Sequence, residues 1–172
     1  MTSKAKFLAN RLRSEGEKMT AFFSSLGDAA WKKLIYTEGQ DWQIRDVLAH
    51  FVSAENSFLK LFEGIRQGGD GVSDDFDVDR FNESQVAKLK EMPPAELLDA
   101  YIEVRAKIVA WVETLSEDDL QKEGRHPFLE ESTLEEMIKL VYRHNQIHYR
   151  DMRRTENQHL QFGETENGER CK

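Results

Sequence analysis

The residues best placed to do chemistry are three histidines. His50 closes the stretch Trp42-Gln-Ile-Arg-Asp-Val-Leu-Ala-His50, and His144-Asn-Gln-Ile-His148 forms an H-x-x-x-H pair. Positions four apart lie one turn up the same helix face, so both imidazoles of the pair can reach one point. A third imidazole from a facing helix would complete a three-nitrogen site for a divalent ion, with coordination positions left open as in catalytic sites. Ligation by imidazole alone suits Zn, Ni, Cu or Fe and disfavours Mg or Ca. The spacing puts all three residues on helices. It does not put His50 beside the other two.

The elements that must position them come from the apolar periodicity. Lys4 to Leu26 carries a stripe of Phe7, Leu8, Leu12, Met19, Phe22, Phe23 and Leu26. Asp41 to Ile65 repeats the pattern with Ile44, Val47, Leu48, Phe51, Phe58, Leu59, Phe62 and Ile65. Pro94 to Leu115 opens on a proline, whose missing N–H costs nothing in a first turn. Ser132 to about Arg154 opens on Ser132-Thr-Leu-Glu135, a capping-box signature. The glycine- and aspartate-rich stretch 67–79 leads to a shorter helix at about 79–91, and residues 117–131 form a connection containing Gly124 and Pro127. No strand alternation is long enough to matter. The predicted fold is all-α: a four-helix bundle with a long connection carrying a short extra helix between helices two and three. The bundle is expected over residues 1–156, with 157–172 a polar, disordered tail.

Helix phase ranks the candidates. His144 and His148 fall about 40° apart, bracketed by Met137, Val141 and Met152, so they point inward. His50 falls about 60° from Val47, at the edge of its apolar face. Glu55 falls near the centre of that face, where a carboxylate needs a partner or a raised pKa. An ion pair with Arg105 or Arg143 is favoured, over orientation of a histidine or action as a general base. Asp75-Phe-Asp77-Val-Asp79 opens like an EF-hand loop and then fails, with Arg80 where glycine is required. His126 and His159 read as surface residues. No phosphate loop, nucleophile elbow or Cys–His pair is present.

Composition narrows the function classes. The formal charge of −8 and a charged fraction of 33% argue against nucleic acid, since no basic patch could displace counterions from phosphates. The one cysteine, Cys171, excludes an intramolecular disulfide and any thiolate-rich metal site. No apolar run is long enough to span a bilayer and no signal-peptide core opens the chain, so a cytoplasmic setting is expected.

Trp42-x-x-Arg45-Asp46-Val-Leu-Ala-His50, Phe81-Asn82-Glu83, Gly124-Arg-His126-Pro127, Ser132-Thr-Leu and His144-x-x-x-His148 together resemble the DinB/YfiT-like superfamily. That superfamily of four-helix-bundle metal proteins includes the N-terminal domain of mycothiol-dependent maleylpyruvate isomerase. The resemblance covers about residues 5 to 155. It implies a site for one divalent ion, zinc or nickel, on His50, His144 and His148, and a low-molecular-weight thiol as co-substrate. The isomerase's second domain is not expected, and His144 stands where isomerase-like sites often have glutamate.

These readings lead to a metal-dependent thiol S-transferase acting on a small electrophile. A metal-dependent hydrolase, a non-catalytic metal-binding or stress protein and a metal-free interaction bundle stay open. The expected partner is a small molecule, with no nucleic acid and no membrane; a homodimer is left open.

Overall fold

The computed structural model describes residues 3–37 and 41–163, the stretch 156–163 as backbone only. Helix α1 (Lys4–Ser24) is followed by a single turn, α2 (Asp28–Trp31), and a hairpin of β1 (Leu34–Tyr36) with β2 (Trp42–Gln43). Then come α3 (Ile44–Arg66), α4 (Val78–Lys88), α5 (Pro94–Glu113) and the short α6 (Glu117–Leu120). A second hairpin, β3 (Glu123–His126) with β4 (Glu130–Thr133), leads into α7 (Leu134–Gly163).

The four long helices form the predicted bundle, with α1 and α3 each packed on both α5 and α7. The buried residues fall into two groups. One holds Leu8, Leu12, Phe62, Ile108, Met137 and Ile138; the other holds Phe23, Phe51, Leu97, Tyr101 and Met152. Following each helix from one group to the other gives its direction. Helices α1 and α7 run one way, α3 and α5 the other. Neighbouring α3 and α5 are therefore parallel, and the chain must return the length of the bundle between them. The long connection carrying α4 makes that return.

A polar layer lies between the two apolar groups. Arg105 donates through Nε to Glu55 Oε2 at 2.9 Å and through Nη1 to the Leu12 carbonyl at 3.1 Å, while its Nη2 closes the ion pair on Glu55 Oε1. Asn145 Nδ2 donates to Glu55 Oε1 and to the Tyr101 hydroxyl. Glu55 thus takes the ion-pair role, with Arg105; Arg143 is exposed and faces Glu136. Gly16 makes room for it, since a Cβ there would sit 2.8 Å from Arg105 Cγ.

Several local expectations are corrected. Both hairpins fall where no strand was expected: their pairs are too short to show alternation above the noise of a few residues. Helix α3 starts at Ile44 rather than Asp41, because Trp42 and Gln43 pair with β1 and Asp46 accepts the Gln43 N–H at 3.0 Å. Thr133, not Ser132, caps α7, its hydroxyl accepting the Glu136 N–H at 3.3 Å. That helix continues to Gly163, past the expected end near Arg154; the rest of the expected tail lies outside the described residues. Phe7 is 59% exposed, off the core stripe. Asp77 caps α4 by accepting the Arg80 N–H, which accounts for the aspartate spacing without calcium.

The connection after α3 is pinned to the second hairpin. Arg125 N–H donates to the Asp70 carbonyl at 2.8 Å, and Val72 N–H to the Arg125 carbonyl at 3.0 Å. The close approach requires glycine at position 71, where φ is +95° and a Cβ would lie 2.2 Å from Arg125 O.

Candidate metal centre

His50 lies near the start of α3, and His144 and His148 lie one turn apart in the middle of α7. The antiparallel packing of these two helices brings the three together. His144 Nε2 is 3.1 Å from His50 Nε2 and 3.0 Å from His148 Nε2, and one ligand atom from each residue falls within 4.8 Å of the others. Two nitrogens bound to a common ion at ~2.1 Å stand ~3.0 Å apart at a right angle and ~3.4 Å apart at a tetrahedral angle. The observed spacing is of that size. A neutral His144 carries at most one proton on Nε2, so it cannot donate to both neighbours. One shared cation would satisfy the lone pairs together.

His50 is buried, closer to the interior than its place at the edge of the apolar face suggested, while His144 and His148 are half-buried. Burial pushes the His50 imidazole well below its ordinary range, helped by the two neighbouring imidazoles. Burial lowers His144 to about 3, with His148 a smaller cause, and lowers His148 to about 4. All three are neutral near pH 7, the form that binds a metal.

The first hairpin supplies the surroundings of the triad. From β1, the Tyr36 hydroxyl stands 2.7 Å from His148 Nδ1 and donates to Asp151 Oδ2 at 2.8 Å. With its proton committed to Asp151, the Tyr36 oxygen accepts from His148 Nδ1–H, which leaves His148 Nε2 with a bare lone pair facing the triad. From β2, the Trp42 ring covers His50 at a centroid distance of 5.1 Å. Phe51 packs against His144 and His148 at 5.9 and 5.5 Å. Arg45 ties the start of α3 to the end of α4, donating to the Leu89 and Met92 carbonyls. The triad opens on one side, where His50 and His144 line a cleft of about 140 Å³.

Sequence reasoning missed Tyr36 and Asp151. The two are 115 positions apart, and no local pattern marks either. His126 is a second correction: it is 2% exposed, not a surface residue. Its ring packs on Phe58 at 5.3 Å, its Nδ1 accepts the Phe128 N–H at 3.1 Å, and burial lowers it to about 4. The side chain of His159 lies outside the described residues.

A model of the DinB superfamily matches residues 6–152, most of the chain. The chain belongs to the DinB superfamily. No curated protein sequence matches it. Among solved structures, YfiT from Bacillus subtilis superposes with a TM-score of 0.74 at 19% identity, covering 92% of this chain and 90% of YfiT. YfiT is described as "a probable metal-dependent hydrolase with an unusual four-helix bundle topology". The mycothiol-dependent maleylpyruvate isomerase superposes with a TM-score of 0.71 at 17% identity, over 88% of this chain. This chain spans 63% of that enzyme's length. The colibactin self-resistance protein ClbS, solved with a double-stranded DNA, gives a TM-score of 0.69 at 14% identity, over 91% and 95% of the two chains. At these identities the likeness concerns the fold. Among the described residues, no helix is long and apolar enough to cross a membrane.

Proposed function

We propose that this protein is a divalent-metal-dependent enzyme of the thiol S-transferase type, acting on a small electrophile. The observation that carries the reading is the convergence of three neutral imidazoles on one point with one side open. His50, His144 and His148 would hold the ion, zinc or nickel by donor type. Bound there, a divalent ion supplies positive charge that favours a thiolate or hydroxide over its conjugate acid near neutral pH.

The chain's own residues do the remaining work. Tyr36 and Asp151 hold His148 in one tautomer, and Trp42 and Phe51 keep water from the backs of the rings. The open side faces apolar walls, where a low-molecular-weight thiol and its electrophile would meet. In the transfer the thiol loses its proton to solvent and its sulfur bonds to the electrophilic carbon. The leaving group departs with the electron pair.

Hydrolysis is the second reading, favoured by the likeness to YfiT, which resembles this chain over nearly its full length. Against it, among the described residues no carboxylate lines the cleft, and Glu55 is tied to Arg105. Cobalt-substituted protein titrated with thiols tests the choice. Sulfur-to-metal charge-transfer absorption, with faster consumption of an added electrophile than in buffer, supports S-transfer. Metal retained with no such absorption for any thiol removes that reading and moves hydrolysis or a non-catalytic role ahead.

A further inference from the structure

The cleft beside the triad has walls from four separate segments: α3, the α3–α4 connection with the start of α4, the β3–β4 turn and α7. Four phenylalanines, Phe58, Phe76, Phe81 and Phe128, are among its lining residues, together with His50 and His144. Among the described residues, no lysine, arginine, aspartate or glutamate lines it. Of its two other polar side chains, Ser57 already donates its hydroxyl to the Ser53 carbonyl at 2.9 Å. The Asn82 side chain makes no hydrogen bond among the described residues, so its amide keeps both a donor and an acceptor for a ligand. Asn82 belongs to the Phe81-Asn82-Glu83 motif, which neither the metal triad nor the core explains.

Size and charge together restrict the occupant. An apolar cavity of about 150 Å³ stays dry and takes a benzene-sized molecule. The cleft has a similar volume, about 140 Å³, although it opens to solvent on one side, and it lies well below the roughly 300 Å³ at which pockets begin to hold drug-sized ligands. In metal-free protein a charged group moved into it would lose its hydration and find no opposite charge. We infer that the cleft binds a small, flat, uncharged ligand, stacked between phenylalanines and held at one polar atom by the Asn82 amide. This ligand is the electrophile of the proposed reaction, so its chemical fate rests on the metal reading, whereas its binding does not.

The matched probes 4-fluorobenzamide and 4-fluorobenzoate differ in charge at nearly constant shape. Their binding to the full chain can be followed by ligand-observed fluorine NMR, with and without chelator, and metal content measured in parallel. The benzamide is expected to bind in both states, and the benzoate at least about tenfold more weakly in chelator-treated protein. Asn82→Ala should weaken the benzamide about 3- to 10-fold, the loss of one neutral hydrogen bond. Ser57→Phe should fill the cleft and abolish binding; Phe128→Ala, at a 54% exposed position, should weaken it without threatening the fold. Equal binding of the two probes in chelator-treated protein overturns the inference, as does benzamide affinity unchanged in both Asn82→Ala and Phe128→Ala. Benzamide binding without metal uptake upholds the pocket and sinks the metal reading; uptake without benzamide binding does the reverse.

Discussion

The Tyr36 hydroxyl stands 2.7 Å from Nδ1 of His148 while donating its own proton to Asp151. A hydrogen bond to the far nitrogen of a metal-binding imidazole fixes its tautomer and ring angle, and losing one typically costs 10- to 100-fold in metal affinity. Tyr36→Phe should therefore weaken zinc binding by about that factor, read by competition with a chromophoric chelator. The fold should survive, since the ring keeps its packing. Wild-type affinity in this variant would make the contact ornamental.

The triad itself predicts about one divalent ion per chain in protein purified without an affinity tag. His144→Ala or His148→Ala should lose most of it, measured by elemental analysis. Because His50 and the pair come from different helices, metal should also clip α3 to α7. Free metal at 100 times Kd should add about 2.7 kcal/mol to stability and raise Tm. Complete chelation with no shift in the transition would place any bound ion elsewhere.

The Glu55–Arg105 pair is 2% and 6% exposed at its side chains. Removing one partner strands a buried charge, so Arg105→Met should cost about 3–5 kcal/mol in urea unfolding. The double variant Glu55→Leu/Arg105→Met should recover most of that loss, because two apolar groups leave no charge uncompensated. A double variant as unstable as the single would mean that packing around Gly16, rather than charge, sets the cost.

In metal-free protein the buried histidines should govern acid stability. The folded values of about 4 for His126 and His148 and about 3 for His144 lie below the ordinary ~6.5. The unfolded chain then binds more protons than the native one between those limits. Stability is complete above about pH 6.5 and is lost as pH falls toward 4. Tm measured in chelator should be flat near neutrality and drop across that window. His126→Gln, which leaves the triad intact, should make the drop shallower; an unaltered slope would assign the loss to other groups.

Much of this was legible in the sequence because it is local. The stripes of Leu8 and Leu12, of Val47, Phe51 and Phe62, and of Met137 and Val141 follow from a period fixed by helix geometry. So does the register of His144 with His148. Asp75, Asp77 and Asp79 read only as a solvated loop leading into a helix; that Asp77 caps α4 came from the structure. Tyr36 was invisible for the opposite reason: a lone tyrosine at the end of a three-residue strand has no periodicity to read, and its partners lie more than a hundred residues on. His126 misled because a histidine beside proline in a polar connection reads as exposed, and only the packing of that hairpin on Phe58 buries it.

The sequence by itself determined that four amphipathic helices would form and that two imidazoles would share one face, because both depend on contacts within a few residues. Tertiary structure alone decided that α3 and α7 run antiparallel side by side, which sets His50 3.1 Å from His144. It alone folded the first hairpin over the triad, and it alone walled the open side with phenylalanines from distant segments. Those outcomes depend on which helix faces meet when the core is buried. That choice is made by the whole chain's packing, and no short stretch of it carries the answer.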